Sequence, residues 1–306
     1  MASLKEIAKH AGTSIRTVSR VIRKQKNVSE MTRKKVEKVL EKLNYVPNIA
    51  ARTLKTGKTY DIAVIIGSYD ELHIEKLASF EKKTREFGYR VNVLFSHYGE
   101  NEVKIIEHIK ELRPAGIAIF SGGIFPSELL KYPSIGVGIR DKRITCVELD
   151  RAKGIYDAVD YLFSKGIKKI AYLGPEGAAS QERLQGYYTA LKAHKIKPLI
   201  YETPEKVLND IAKNPGIIVF SDAWAMELLQ ILNANAVKIP DEISVIGFDD
   251  RAFAKLASPP LTTLAQPNAA IGELAAKILN EKINNKREIH KKLILLPMKL
   301  VIRKSA

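Results

Sequence analysis

Apolar positions in the first forty-odd residues recur at helical spacing. Leu4, Ile7, Ala8 and Ala11 share one face, Val18, Val21 and Ile22 a second, and Val36, Val39, Leu40 and Leu43 a third. Ser3-Leu4-Lys5-Glu6 has the capping-box pattern, so a helix opens there, and Gly12 ends it in a tight turn. Thr13 or Ser14 can cap a second helix, Ile15–Arg23. Asn27-Val28-Ser29 breaks the pattern. Ser29 then caps a third helix, whose apolar stripe lies opposite Arg33, Lys34, Lys35 and Lys38 until Asn44 and Pro47 stop it. A short helix, a glycine turn and a second short helix have the spacing of a helix-turn-helix.

Past Gly57 the rhythm changes. Short β-branched runs predict strands at Ile62–Ile66, Val91–Phe95, Ile117–Phe120, Ile170–Leu173, Ile217–Phe220 and Ser244–Phe248, with a further strand at Lys299–Arg303. Between them fall helical stretches at Ile74–Phe87, Val103–Leu112, Gly154–Lys165, Glu182–His194, Ala223–Ala234 and Ala269–Lys282. This is βαβ alternation around buried parallel strands, an α/β body behind an all-α head.

Composition narrows the class. With 306 residues, 45% of them hydrophobic and 27% charged, the chain has material for two or three packed domains, and wholesale disorder is excluded. No apolar run reaches the roughly 18 residues that cross a bilayer, and the N-terminus lacks the apolar core of an export signal. Cys146 is the single cysteine, which excludes an internal disulfide and a multi-cysteine zinc site. A reducing cytoplasm, without membrane association, is the expected setting.

The net charge of +16 is unevenly spread. Residues 1–58 hold 15 Lys and Arg against four Glu and no Asp, whereas the other 248 residues hold 35 basic and 30 acidic side chains. A lysine-rich composition with solvated helix faces explains the body. It does not explain the concentrated head, which suits a polyanion.

Because the inward face of the second helix is apolar, Ile15, Arg16, Ser19 and Arg20 project outward. Arg can bond guanine O6 and N7 together, and Ile can touch a thymine methyl. Ser14, Thr17, Ser19, Asn27 and Thr32 are small donors suited to phosphates, which fix register without carrying sequence. For Ser29 and Thr32, plain helix capping is an equal reading. In the body, polar groups follow several strand ends, where open α/β sheets bind ligands: Ser68, Tyr69 and Asp70, then Arg140-Asp141 and Asp150, Arg183, Ser221-Asp222, Asp249-Asp250 and Gln266. Arg and Asp make charge-assisted bonds to the hydroxyls of sugars. N-capping of the following helix is the favoured role for Asp222 and Asp250 and an alternative for Asp150. Trp224, on an apolar helix, reads as core or interface filling before it reads as a stacking platform for a sugar.

The strings IAKHAGTSIRTVSRVI, VSEMTRKKV and LNYVPNIAARTLKTG, in this order and without gaps, resemble the DNA-binding headpiece of the lactose/galactose repressor family. The resemblance implies base reading by Ile15 and Arg16 with Arg20 as third reader. It also implies backbone contact from Asn48 and a hinge helix within 47–58 that forms on DNA and presents Ala51 and Leu54 to the minor groove. An apolar wedge of that kind kinks DNA, and a segment so short is unstable alone. The implied domains are a headpiece at 1–46, a hinge and linker at 47–58, and an effector-binding and dimerisation domain at 59–306. The latter has two doubly wound lobes like a periplasmic sugar-binding protein, lobe one about 59–161 and 266–295, lobe two about 162–265 and 296–306, with crossovers near Tyr161, Gln266 and Leu295.

The family's effector contacts fall on Ser68, Asp150, Arg183, Ser221, Asp249 and Gln266, and the strand-end reading adds Tyr69 and Arg140. Ser221-Asp222 stands where the family usually has Asn-Asp. GIRDK and LKAHKIKP resemble the trehalose repressor of that family, so Arg140 could face a phosphorylated sugar, although Ser68 stands where that repressor has Arg.

The expected partners are double-stranded operator DNA, a sugar or sugar-phosphate effector and a second copy of the chain. The C-terminal end carries no heptad tail, so a dimer is expected rather than a tetramer. No cofactor or metal is expected: the six histidines are scattered, and G-x-G-x-x-G, G-x-x-x-x-G-K-[ST] and G-x-S-x-G are absent. The expectation is a repressor of carbohydrate-use genes and not an enzyme. Alternatives are a global catabolite regulator controlled by a phosphorylated carrier protein, a purine-type co-repressor-dependent repressor, and a sugar-modifying enzyme with a DNA-binding head.

Overall fold

The computed structural model describes residues 3–22, 27–43, 45, 59–67, 70–96, 102–120, 126–175, 177, 178, 180–208, 215–284 and 292–306. The chain divides into two compact units, Met1–Lys58 and Thr59–Ala306.

In the first unit, α1 (Leu4–His10), α2 (Ile15–Ile22) and α3 (Glu30–Lys42) pack around Ile7, Ala8, Val18, Val21 and Val36. Caps set the boundaries. The Glu6 amide donates to Ser3 Oγ, and the Glu6 carboxylate accepts from the Ser3 amide, a reciprocal pair that holds the Glu6 carboxyl below its ordinary pKa. Gly12, at φ +60°, supplies the left-handed turn between α1 and α2. Ser14 Oγ accepts from the Thr17 amide and so caps α2. Ser29 does the same for α3 through Thr32.

The second unit holds two six-stranded sheets. The first is built from β1 (Asp61–Ile66), β2 (Arg90–Phe95), β3 (Gly116–Phe120), β4 (Ser134–Val137), β5 (Thr145–Leu149) and β11 (Leu293–Leu296), in the order β11-β5-β4-β3-β1-β2, all parallel. The second comprises β6 (Ile170–Leu173), β7 (Ile200–Tyr201), β8 (Gly216–Val219), β9 (Ser244–Asp249), β10 (Thr262–Ala265) and β12 (Lys299–Val301), in the order β12-β10-β9-β8-β6-β7 with only β12 antiparallel. Strands buried on both faces, such as Gly116–Phe120, need helices above and below. On the first sheet these are α4 (Glu71–Glu86) and α10 (Asn268–Asn284) on one face and α5 (Glu102–Leu112) on the other. On the second sheet α6 (Arg151–Ser164) and α7 (Gln181–His194) cover one face, and the short α8 (Pro204–Val207) and α9 (Asp222–Ala234) the other.

One boundary differs from expectation. The chain leaves the first lobe at Leu149–Arg151, between β5 and α6, and not near Tyr161. The apolar face of α6, Ile155, Ala158, Val159 and Leu162, is buried against the second sheet together with Tyr172, Ile218 and Ile246. The sequence identifies this face but not which sheet receives it. The other two crossings lie between Ala265 and Asn268 and between Leu296 and Lys299. The last strand is also shorter than expected: it stops at Val301, after which Arg303 turns its side chain onto the Leu261 carbonyl and Asp250.

Candidate functional site

The head presents one face without apolar cover. At the N-terminal end of α2, Ile15 is 45% exposed and Arg16 is exposed, while Ser19 and Arg20 follow along the same side half-buried. The N-terminal turn of a helix is also where unpaired backbone amides favour phosphate. Ser14 and Thr17 share a hydroxyl–hydroxyl bond of 2.9 Å, and Ser29 and Thr32 one of 2.8 Å. In each pair one oxygen is spent on capping while one hydroxyl proton remains to be donated. Capping and phosphate contact are therefore compatible. Asn27 is exposed beside Val28, which packs into the head core. Asn48, Ala51 and Leu54 lie outside the described residues.

In the body, polar side chains converge at the carboxyl ends of the strands, where the two lobes meet. Asp249 ends β9 with its backbone at φ +118°, and Asp250 follows at φ +55°. Two successive non-glycine residues in this region are strained by about 1–3 kcal/mol each and persist only where neighbours hold them. Here Asp249 accepts from Gln266 Nε2 at 2.6 Å, and Asp250 pairs with Arg303 at 2.6 Å. Burial raises the Asp249 carboxyl pKa against the lowering effect of Gln266 and Arg183. Gln266 turns its other end to lobe one, where its Oε1 accepts from Lys76 Nζ at 3.0 Å. The guanidinium of Arg183 packs on two rings, 4.3 Å from the centroid of Phe220 and 4.1 Å from that of Phe248. This fixes its plane, and burial lowers its pKa.

Other pairs join the lobes. Arg251, next to Asp249, reaches Asp70 of lobe one at 3.2 Å. Arg140, after β4, reaches Glu182 on α7 at 2.8 Å. Arg151 bridges Glu148 on β5 at 3.1 Å and Glu182 at 3.3 Å. Burial works against its charge, but the two glutamates prevail and raise its pKa.

The expected contacts sort accordingly. Asp249, Gln266 and Arg183 are brought together. Arg140 is near them but exposed and engaged with Glu182. Asp150 accepts from the Lys153 amide as the cap of α6, and Ser221 accepts from Trp224 as the cap of α9. Asp222 is not the cap that was expected. It is fully buried and takes the Thr263 hydroxyl at 2.6 Å and the Arg251 amide at 2.8 Å, and burial pushes its carboxyl up to about 6. Asp250 likewise pairs with Arg303 rather than capping. Trp224 is half-buried against Phe220, beside the second-lobe core. Ser68 and Tyr69 lie outside the described residues.

Lys76, Glu148, Arg151, Glu182 and Arg251 were not anticipated. One signal was legible: Lys76 falls four residues after Leu72 and four before Phe80, on the buried stripe of α4, where a lysine is out of place.

A helix-turn-helix head on a two-lobed α/β receptor body defines a ligand-responsive, DNA-binding regulator. Residues 3–48 match the bacterial regulatory proteins of the lacI family, and residues 159–306 the periplasmic binding protein-like domain. The chain is 31% identical to the HTH-type transcriptional regulator RegA of Clostridium saccharobutylicum, covering 99% of this chain and 98% of that protein. It is 32% identical to the HTH-type transcriptional repressor PurR of Vibrio vulnificus over the same shares. Its fold is that of the Lac repressor dimer bound to operator and the anti-inducer ONPF, with a TM-score of 0.75 at 24% identity over 99% of this chain and 98% of that one. The chain belongs to the lacI family of bacterial regulatory proteins and is a helix-turn-helix transcriptional regulator. Among the described residues, no helix is long and apolar enough to cross a membrane.

Proposed function

We propose that the protein is a homodimeric repressor of carbohydrate-use genes whose operator affinity is set by a sugar or sugar phosphate held between the lobes. The observation that carries this reading is the chain of bonds Lys76–Gln266–Asp249, running from one lobe to the other beside the ring-packed Arg183. A carboxylate, an amide and a guanidinium set at strand ends suit a ligand that both donates and accepts hydrogen bonds. Relatives point the same way: a 28% identical protein of Haemophilus influenzae is a ribose operon repressor, and a regulator of the same fold is known as a complex with cellobiose.

In this reading Ile15, Arg16 and Arg20 touch base edges, and Ser14, Thr17, Ser19, Asn27, Thr32 and Asn48 hold phosphates. Ala51 and Leu54 enter the minor groove. Two copies set two α2 helices in successive major grooves. A groove of about 490 Å³ between α4 and β2, lined by Ile74, Leu77, Val91 and Val93 with Lys82 and Arg85 alongside, supports pairing through lobe one. Ligand and operator affect each other equally, as coupling requires. A thermal-shift screen of sugars, sugar phosphates and purines on the full chain tests the reading, since a bound ligand raises the melting point by mass action. A sugar-type ligand whose effect is lost in Asp249→Ala supports it. Response to purines alone would replace the sugar with a base.

A further inference from the structure

The reading above leaves the ligand's charge open, and Lys76 bears on it. Its residue is 4% exposed, on the α4 stripe that otherwise holds Leu72 and Phe80. Burying an ammonium costs several kcal/mol unless it is paired. The carboxylates around it have direct donors of their own. Asp70 has Arg251; Glu148 has Arg151 and the Leu149 amide; Glu182 has Arg140 and Arg151; Asp249 has Gln266. Lys76 has no carboxylate within ion-pair distance among the described residues. Among the described residues its one hydrogen bond goes to the neutral amide oxygen of Gln266. An ammonium carries three donors, and this bond uses one of them. Glu148, Asp249 and Asp70 act on it only at longer range, and burial dominates, holding its pKa below the ordinary lysine value.

We propose, resting on the ligand cleft described above, that the molecule bound there carries an anionic group, carboxylate or phosphate, and that Lys76 selects it. Arg183, from the opposite lobe, lies close enough to Asp249 and Arg151 to sense the same charges as Lys76. Its guanidinium packs on the rings of Phe220 and Phe248. Asp249, an acceptor of hydroxyl protons, fits the polyol part of the ligand and not its acid. The ligand class is thus a hydroxylated small molecule with one acid group, a sugar phosphate or a sugar acid.

The test uses the full chain, wild type and Lys76→Met, with Met chosen because it fits the apolar stripe, and Lys76→Arg as the variant that keeps charge. Hexoses, pentoses and disaccharides are each offered as the neutral sugar, the phosphate and the carboxylic acid, first by thermal shift and then by titration. The expected result is a higher melting point with an acid form than with its neutral parent. Affinity for that acid should fall at least about tenfold in Lys76→Met and be largely kept in Lys76→Arg. Phosphate and carboxylate arms identify the source of the charge. A neutral sugar that binds while its acid forms do not, or an acid that binds Lys76→Met as tightly as wild type, overturns the proposal and leaves the cleft standing. No shift from any series overturns both.

Discussion

At the residue scale, single side chains separate reading from holding. Arg20→Ala should cost about 1–3 kcal/mol at a matched operator and relax specificity there. Competition titration against random duplex checks this, and an equal loss on both DNAs would make Arg20 a phosphate contact. Asp249→Ala should leave operator affinity intact while abolishing the ligand response. Asp222 supplies a pH signature. Its folded carboxyl titrates at about 6, above the ordinary value of about 3.9, so the folded state holds the proton more tightly. Its contribution to stability is therefore greatest below pH 4 and is lost as pH rises through 6, an effect of about 2–3 kcal/mol. Asp222→Asn should gain on wild type in melting temperature between pH 4.5 and 7; parallel curves would show that Asp222 does not titrate there.

Much of this scale was hidden in the sequence. Ile15 and Arg16 could be placed because helical periodicity fixes which residues face out. Arg251 could not, because it acquires its role from a partner far away in the chain, Asp70, which lies 181 positions from it.

At the scale of elements, glycines mark where helices cross closely. A Cβ on Gly272 of α10 would lie 2.2 Å from the Lys76 carbonyl oxygen on α4, and one on Gly186 of α7 would lie 2.1 Å from the Ala152 carbonyl oxygen on α6. Backbone at these points cannot retreat without moving a helix. Gly272→Ala and Gly186→Ala should each lower stability by about 1–3 kcal/mol, read by thermal or denaturant unfolding. An unchanged melting point would mean that the helices are more loosely seated. Gly272→Ala should also disturb ligand binding, since it pushes on the turn that carries Lys76.

Apolar strands with a clear run, such as Ile62–Ile66 and Ile170–Leu173, were legible in the sequence. Ser134–Val137, Thr145–Leu149 and Leu293–Leu296 were given no bounds there. The first is four residues with a serine and a glycine, and in the second Thr145 and Glu148 interrupt the apolar residues. Both are strands because β3 and β11 pair with them. Ile200–Tyr201 has only two residues and exists as an edge on β6.

For the whole molecule, the division of labour follows from charge and topology. A small basic head cannot by itself sense a metabolite, and a two-lobed body of nearly balanced charge has little to hold DNA. In the proposed reading, linking them allows a cleft whose lobes are joined by Asp70–Arg251, Arg140–Glu182 and Lys76–Gln266 to change shape when those contacts give way to ligand. Only differential affinity for two shapes can shift an equilibrium.

The most direct test selects duplexes from a random library with the full chain. It then titrates the best duplex and a scrambled one with and without the ligand found by screening. The account predicts a preference of at least about a thousandfold for the selected duplex, changed by about 5–150-fold when ligand is bound. Equal affinity for both duplexes, or a preference indifferent to every ligand that raises the melting point, would contradict it.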